Sequence, residues 1–295
     1  KTAEIARKSL PNCRIITGGF GSTKEPEKVL KAGNRAVDFI VMGEGEITFL
    51  ELLEQFKKND NDFFKINGLA FLDQGGCLVI TKFRDYIKDL NFLPWPAYHL
   101  LYPDFLQYSG MHGLNNTYKN LKGPAGVLLT SRGCPHRCAF CSLGSKMYRE
   151  RDIKDAVDEM EFYKNKFGIK TLQIYDDEFI GLSPKQNERV EESCNEIIKR
   201  NLHKSLGFWV QGRCSQFVEL KTLKKMKESG IKWIAWGVES GSQKVLDSIK
   251  KDIKVENIVR DFSLAKKAGI KSLAFMMLGF PGETSADIKL TDKLV

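Results

Sequence analysis

Three copies of the tripeptide Gly-Ile-Lys constrain the fold of this chain more than any other sequence feature. They begin at Gly168, Gly230 and Gly269, and each one closes a helical segment and opens an apolar, strand-like segment. Glycine there can adopt the left-handed conformation that ends a helix and turns the chain back. Five consecutive strand–loop–helix units are predicted from residue 125 onward. Such a series forms a parallel sheet flanked by helices, closed or nearly closed as a barrel.

Three cysteines lie close together in the loop that follows the first of these five strands. Cys134, Cys138 and Cys141 have the spacing CxxxCxxC. Thiolates this close suit a shared metal centre better than a disulfide, and three of them on a four-iron cluster would leave one iron free. Structural zinc is the competing interpretation. It needs a fourth ligand, which would be either a residue distant in sequence or His136, whose ring is awkwardly placed inside the loop.

The other strands of the series also end in unusual polar or glycine-rich sequences. In a parallel barrel the loops after the strands converge on one mouth, where the active site lies. The second to fifth strands are followed in turn by Asp176-Asp177-Glu178, by Arg213, by Glu239 and by the loop Gly279-Phe-Pro-Gly-Glu283. Because the four acidic residues directly follow buried strands, we expect a site role for them rather than a role in surface ion pairs.

The N-terminal part of the chain has a different pattern. Residues 1–58 contain two rounds of strand, glycine loop and helix, which is typical of a doubly wound (Rossmann-like) α/β domain. The glycine loops are candidate ligand contacts, with plain tight turns as the alternative. Residues 59–124 contain a predicted β-hairpin and a connector rich in proline and aromatic residues, and we interpret them as a linker. Residues 125–295 then form the barrel domain.

Composition narrows the possible partners and the compartment. The net charge of +9 comes mostly from lysines spread along helical segments, with no arginine-rich tract, so a nucleic-acid partner is disfavoured. A basic rim could instead help to dock an acidic redox partner. There is no secretory leader and no apolar run of membrane-spanning length, so we expect a cytoplasmic protein whose cysteines stay reduced. The chain starts without Met and stops inside a helical pattern, which indicates a fragment truncated at both ends.

The cysteine loop followed by these strand-end sequences closely resembles the radical S-adenosylmethionine superfamily, whose barrel is a partial (β/α)6. Five strands are visible here, so the last strand is expected to be missing with the C-terminus. The resemblance implies that Cys134, Cys138 and Cys141 hold a [4Fe-4S] cluster and that its free iron binds S-adenosylmethionine. Reductive cleavage would then give a 5′-deoxyadenosyl radical. A low-potential electron donor, such as a flavodoxin or ferredoxin, is the implied protein partner.

The same resemblance implies which residues contact S-adenosylmethionine. Asp176, Asp177 and Glu178 stand where the family has a Gly-Gly-Glu-like motif that faces the methionine amino group. Aspartates replace both glycines here. The other implied contacts are Phe140 near the adenine, Arg213 and Glu239 for the methionine carboxylate and the ribose, and Gly279 and Pro281 in the adenine pocket.

The N-terminal segments resemble the later half of a cobalamin-binding domain, as in the cobalamin-type radical S-adenosylmethionine enzymes. The Asp-x-His-x-x-Gly motif that supplies a cobalt ligand in that group is absent from this sequence. We therefore predict an oxygen-sensitive, cobalamin-dependent methyltransferase or cyclase that acts on an unknown small molecule. The alternatives are a cobalamin-free relative, such as a methylthiotransferase, and a non-catalytic binding module stabilised by a bound metal. The implied cobalamin contacts are Gly18, Gly19, Gly43, Glu44 and Gly45.

Overall fold

The structure is a computed structural model that describes residues 1–33, 35–101, 123–142 and 147–294. Contacts divide the chain into two compact units, Lys1–Lys88 and Asp89–Val295. The sequence placed domain boundaries at residues 58 and 124, so the observed division falls inside the segment predicted as a linker. Residues 102–122 of that segment lie outside the described part of the chain.

A small mixed sheet with helices forms the N-terminal unit. Its elements are α1 (Thr2–Ser9), β1 (Ile16–Gly18), α2 (Phe20–Lys24), α3 (Pro26–Lys31), β2 (Phe39–Val41), α4 (Glu46–Lys57), a 3-10 turn (Phe63–Lys65), β3 (Leu69–Leu72) and β4 (Leu78–Ile80). The strand order is β1-β2-β3-β4, with β1 and β2 parallel and the other pairs antiparallel. The predicted β-hairpin, β3 and β4, thus extends the sheet of the N-terminal unit.

A parallel sheet with its connecting helices forms the C-terminal unit. Two 3-10 turns, Leu90–Phe92 and Tyr98–Leu101, precede it. Its elements are β5 (Ala125–Leu128), β6 (Ser131–Arg132), β7 (Arg149–Glu150), α5 (Ile153–Phe167), β8 (Thr171–Ile174), α6 (Pro184–Lys199), a 3-10 turn (Leu202–Lys204), β9 (Gly207–Arg213), α7 (Leu220–Glu228), β10 (Ile231–Glu239), α8 (Gln243–Ser248), α9 (Val255–Ala268), β11 (Lys271–Met276) and α10 (Ser285–Leu294).

The five-stranded sheet confirms the predicted parallel α/β arrangement. Within the described residues they lie in the order β11-β10-β9-β8-β5, and every neighbouring pair is parallel. Because the strands run parallel, their carboxyl ends and the loops that follow them lie along one edge of the sheet. The short antiparallel pair β6–β7, which the sequence did not predict, follows the first strand.

The Gly-Ile-Lys repeat has the predicted role at helix ends. Gly168 ends α5 with φ +65° and Gly269 ends α9 with φ +76°, both in the left-handed conformation. Gly230, just after α7, also has a positive φ of +99°. At the remaining crossing, where the repeat is missing, Asn201 takes the left-handed conformation with φ +57°. Asparagine is one of the few other residues that adopt this conformation readily.

The core of the C-terminal unit lies between the sheet and its helices. Trp236, Tyr163 and Phe208 are its largest fully buried side chains. Part of the connector packs on the same unit, because Trp95 Nε1 donates to Asp155 at 3.0 Å and the Tyr98 ring lies 5.1 Å from that of Tyr163. No helix in the described ranges has both the length and the apolar character needed to cross a membrane.

Candidate metal centre and cofactor site

The three cysteines of the CxxxCxxC motif lie in a loop whose two ends are joined by β6 and β7. Cys138 is buried, and Cys134 and Cys141 are half-buried. The Cys141 amide donates to the Cys138 carbonyl at 3.0 Å, and the Ala139 amide donates to the Ile249 carbonyl at 2.8 Å. The loop is thus held both by its own turn and by the segment after α8. Residues 143–146 are not among those the structure describes.

The donor set of this loop fits an iron–sulfur cluster. All three cysteines are free thiols. A single metal ion has another possible binding site, since ligand atoms of Cys134, His136 and Glu178 lie within 4.8 Å of one another. Binding there would leave the thiols of Cys138 and Cys141 unused, whereas a cluster can use all three thiols. Cluster binding therefore accounts for more of the residues present than a lone ion does.

Burial keeps the thiol of Cys134 protonated until a metal centre binds. Its pKa is raised to about 12, first by burial and then by the negative charge of Glu178, whose Oε2 lies 3.6 Å from the sulfur. Metal centres bind the thiolate form and release the proton. Loading of the site thus converts the half-buried, neutral thiol of Cys134 into a metal-bound thiolate.

Asp176 and Asp177, at the end of β8, hold the start of the cysteine loop. The buried Asp176 carboxylate accepts from the Thr130 amide at 2.6 Å, from the Thr130 hydroxyl and from the Ser131 hydroxyl at 2.8 Å. Asp177 is exposed and accepts from the Gly133 amide at 2.9 Å. Both oxygens of Asp176 are engaged within the protein, which leaves its side chain little capacity for a cofactor.

Replacing Asp176 by alanine should lower stability more than it lowers cofactor affinity. It would leave the buried Thr130 amide and two hydroxyls without their acceptor, at a cost of roughly 2 to 4 kcal/mol in the free energy of unfolding. Asp177→Ala is the matched control, because it removes an exposed acceptor and should cost about 1 kcal/mol. Anaerobic urea unfolding measures both. Equal losses for the two variants would contradict this assignment.

Glu178 and Arg213 differ from the aspartates. Each has a buried side-chain atom that forms no hydrogen bond with the described residues. Among the described residues, Glu178 Oε1 and Arg213 Nη2 have no hydrogen-bond partner. The other atoms of both groups face the cysteine loop. Arg213 Nη1 lies 3.8 Å from Cys138 Sγ, and Glu178 Oε2 lies 3.3 Å from His136 Nε2, without hydrogen-bond geometry. A buried carboxylate and a buried guanidinium beside the thiols therefore have unused bonding capacity.

Glu239, at the end of β10, forms a buried ion pair that the sequence did not reveal. Lys251 Nζ lies 3.0 Å from Glu239 Oε1, and both side chains are 8% exposed. Glu239 also has φ +66°, which is unfavourable for a residue other than glycine. Lys251 Nζ lies 5.8 Å from the centre of the Phe140 ring. The strand end, the segment after α8 and the cysteine loop thus meet at this lysine.

The loop after β11 is brought close to the cysteine loop by an aromatic contact. The rings of Phe140 and Phe280 lie 5.8 Å apart, so Phe280 joins the site although the sequence did not single it out. Gly279, with φ +89°, has open space where a side chain would be, and its amide donates to Glu283 at 2.6 Å. The cofactor contacts of Gly279 and Pro281 stay predictions.

The N-terminal unit places its two glycine loops at the carboxyl ends of the parallel strands β1 and β2. Gly19 (φ +90°) and Gly43 (φ +71°) have no atom within 4 Å of the position of an added Cβ. Gly18 and Gly45 instead lie close to Val41. The Glu44 carboxylate accepts from the Ile87 amide at 2.9 Å. An open glycine edge of this kind would allow a ligand to approach the backbone.

Sequence comparison assigns the C-terminal unit to a family. Residues 128–295 match the Radical SAM superfamily, so the chain belongs to this superfamily. It is 30% identical over 294 residues to the uncharacterized methyltransferase PH0819 of Pyrococcus horikoshii, covering 99% of this chain and 59% of that protein. It is 28% identical over 304 residues to the anaerobic magnesium-protoporphyrin IX monomethyl ester cyclase of Cereibacter sphaeroides, covering 100% and 46%.

Structural comparison shows a shared fold over nearly the whole chain. The radical S-adenosylmethionine methyltransferase TsrM of Kitasatospora setae, solved with cobalamin and a [4Fe-4S] cluster bound, matches with a TM-score of 0.76 and 18% identity. The match covers 99% of this chain and 55% of TsrM. The chain thus spans about half the length of the proteins it matches. The predicted fold class, a Rossmann-like α/β part followed by a parallel barrel part, is confirmed.

Proposed function

We propose that the chain is the cofactor-binding part of an enzyme that cleaves S-adenosylmethionine reductively. The observation that carries the proposal is the pair of buried, incompletely bonded groups beside the cysteine thiols, Glu178 Oε1 and Arg213 Nη2. An α-amino acid carries an ammonium and a carboxylate on one carbon. Glu178 can accept from the ammonium, and Arg213 can donate to the carboxylate. The methionine end of S-adenosylmethionine has both groups.

The chain's own residues position and shield this cofactor. Cys134, Cys138 and Cys141 would hold a [4Fe-4S] cluster, which when bound supplies the electron that breaks the carbon–sulfur bond. The ion pair of Lys251 with Glu239 keeps a carboxylate at the strand end, where we propose that it accepts from the ribose. Phe140 offers an aromatic surface for the adenine, together with the loop that contains Gly279 and Pro281.

We further propose that the N-terminal unit contributes cobalamin contacts. The open backbone at Gly19 and Gly43 supports this assignment, and the fold that the chain shares with TsrM, which was solved with cobalamin, supports it as well. Gly18, Glu44 and Gly45 belong to the same two loops. The relatives are named as methyltransferases and as a cyclase, so the proposed reaction is methyl transfer to, or ring closure of, a small molecule.

The function is tested on the full-length protein that contains this chain. It is reconstituted anaerobically with iron and sulfide, reduced with dithionite in the presence of S-adenosylmethionine, and assayed for 5′-deoxyadenosine and methionine. Release of both supports reductive cleavage, and an iron-loaded protein that releases neither contradicts it. Corrinoid content after expression with hydroxocobalamin tests the second part. A cleavage-competent protein that never retains corrinoid would restrict the proposal to a cobalamin-free enzyme, such as a methylthiotransferase.

Replacing Glu178 by glutamine should weaken S-adenosylmethionine binding roughly 10- to 100-fold. The amide is nearly the same size but carries no charge, and hydrogen bonds to charged groups contribute about 1.5 to 3 kcal/mol. Equilibrium dialysis with the cluster-loaded protein gives the dissociation constant. Glu188→Gln, on the exposed side of α6, is the matched control and should leave binding unchanged. Unchanged binding in the Glu178 variant would argue against the amino-group contact.

A further inference from the structure

The guanidinium of Arg213 makes an unusual contact with a predicted cluster ligand. Its Nη1 lies 3.8 Å from Cys138 Sγ, and the two residues are 6% and 9% exposed. None of the ion pairs found within the described ranges includes Arg213. A guanidinium that forms no ion pair with the described residues therefore faces a buried sulfur.

The backbone fixes Arg213 in this position. Its amide donates to the Ile180 carbonyl at 2.9 Å. The α-carbon of Gly181 packs so closely that an added Cβ would lie 2.0 Å from the Arg213 carbonyl oxygen. Gly181 adopts φ +107°, a conformation open to glycine. The backbone of Arg213 is thus fixed at the end of β9, and its side chain is buried, unlike that of a surface arginine.

This contact has a consequence for electron transfer. The reduction potential of an iron–sulfur cluster depends on nearby charge and on hydrogen bonds to its sulfurs. Reduction adds one electron and so one negative charge to the cluster. A neighbouring cation stabilises the reduced form more than the oxidised form, and low local polarity strengthens the effect. Arginine side chains carry a positive charge in proteins.

We propose that Arg213 raises the reduction potential of the cluster through its charge and its N–H contact with Cys138 Sγ. This inference rests on the proposed function, because it requires a cluster on the three cysteines. It adds a role to the carboxylate contact, which uses the other nitrogen, Nη2. The electron comes from an external low-potential donor, and no bond forms or breaks in this step. Arg213 thus makes the cluster easier to reduce before any cofactor binds.

Three substitutions separate charge from hydrogen bonding. Arg213→Gln keeps an N–H donor without the charge, Arg213→Lys keeps the charge without the planar group, and Arg213→Met removes both. Each full-length variant is loaded anaerobically with iron and sulfide and titrated with dithionite and mediator dyes without S-adenosylmethionine. The reduced cluster is quantified by electron paramagnetic resonance. Arg137→Gln is the matched control, because Arg137 is an exposed arginine in the same loop, where solvent screens its charge.

We expect the methionine variant to show at least a tenfold lower ratio of reduced to oxidised cluster at the wild-type midpoint potential. For one electron this corresponds to a midpoint about 59 mV more negative. The glutamine and lysine variants should lie between, and Arg137→Gln should match the wild type. An unchanged midpoint in all cluster-loaded Arg213 variants would overturn the proposal while leaving the proposed function intact.

Assembly must be separated from tuning. Iron and sulfide content is therefore measured for every variant, and only loaded protein is compared. If all three Arg213 variants fail to take up a cluster although the wild type does, the tuning role is rejected in favour of a role in assembly. If the wild type itself takes up no cluster, the proposed function fails first.

Discussion

Replacing Cys138 by alanine should abolish the reductive cleavage of S-adenosylmethionine, with no 5′-deoxyadenosine above the level of a protein-free control. Cys138 is the buried member of the three thiols and lies beside Arg213. Its loss would leave two ligands for a cluster that needs three, so iron uptake should fall as well. Iron content after reconstitution and chromatography of the reaction products measure the two effects.

Cys194→Ala is the matched control for this experiment. Cys194 is also a fully buried thiol, but it lies on α6, where its sulfur contacts the Ser229 hydroxyl at 3.2 Å. Its replacement removes one buried sulfhydryl group. It should lower the free energy of unfolding by about 1 kcal/mol without loss of iron. Cleavage that persists in the Cys138 variant, or an equal loss in the Cys194 variant, would contradict the assignment of the cysteine loop as the cluster site.

The cysteines and the acidic and basic strand ends could be predicted from the sequence for a topological reason. Each apolar strand of the β5 to β11 series is followed by a polar or glycine-rich loop, and parallel strands place these loops at one edge. Glu178 and Arg213 do face the cysteine loop, although they are far from it in sequence. The order of the strands is therefore what allows most of the site residues to be predicted from the sequence.

Contacts made by side chains across loops could not be predicted in this way. Lys251 looks like one of many surface lysines in the sequence, yet it is buried against Glu239. Asp176 and Asp177 also hold the start of the cysteine loop, through hydrogen bonds to Thr130, Ser131 and Gly133, and their predicted contacts with the cofactor stay predictions. Local sequence gives no signal for either arrangement, because the partners meet only when neighbouring strand ends are brought together.

The boundary of the N-terminal unit shows a similar limit. The β-hairpin could be predicted from its turn and its apolar strands, but its partner could not. β3 pairs with β2 through Leu69, Ala70 and Phe71, which join the core of the N-terminal unit. Hydrophobic pattern identifies a strand with a buried face but not the strand it will pair with. The hairpin therefore lies within the first compact unit instead of forming part of a separate linker.

Replacing Gly133 by alanine should disrupt the cysteine loop at its entrance. Gly133 has φ +91°, and an added Cβ would lie 2.2 Å from the backbone oxygen of Met147. That oxygen cannot easily move away, because β6 and β7 pair immediately beside it. Backbone strain and overpacking together should lower the free energy of unfolding by roughly 3 to 5 kcal/mol. Iron uptake should fall with it, since Cys134 is the next residue.

Gly168→Ala separates the clash from the strain of a positive φ. Gly168 has φ +65°, but no atom lies within 4 Å of the position of an added Cβ. Its replacement should cost only about 1 to 2 kcal/mol and leave iron uptake unchanged. Anaerobic urea unfolding and iron content are measured for both variants. Equal stability losses in the Gly133 and Gly168 variants, or full iron uptake by the Gly133 variant, would contradict this prediction. Either result would show that the loop can rearrange around a side chain, so that the close packing of Gly133 against Met147 does not determine the shape of the cluster site.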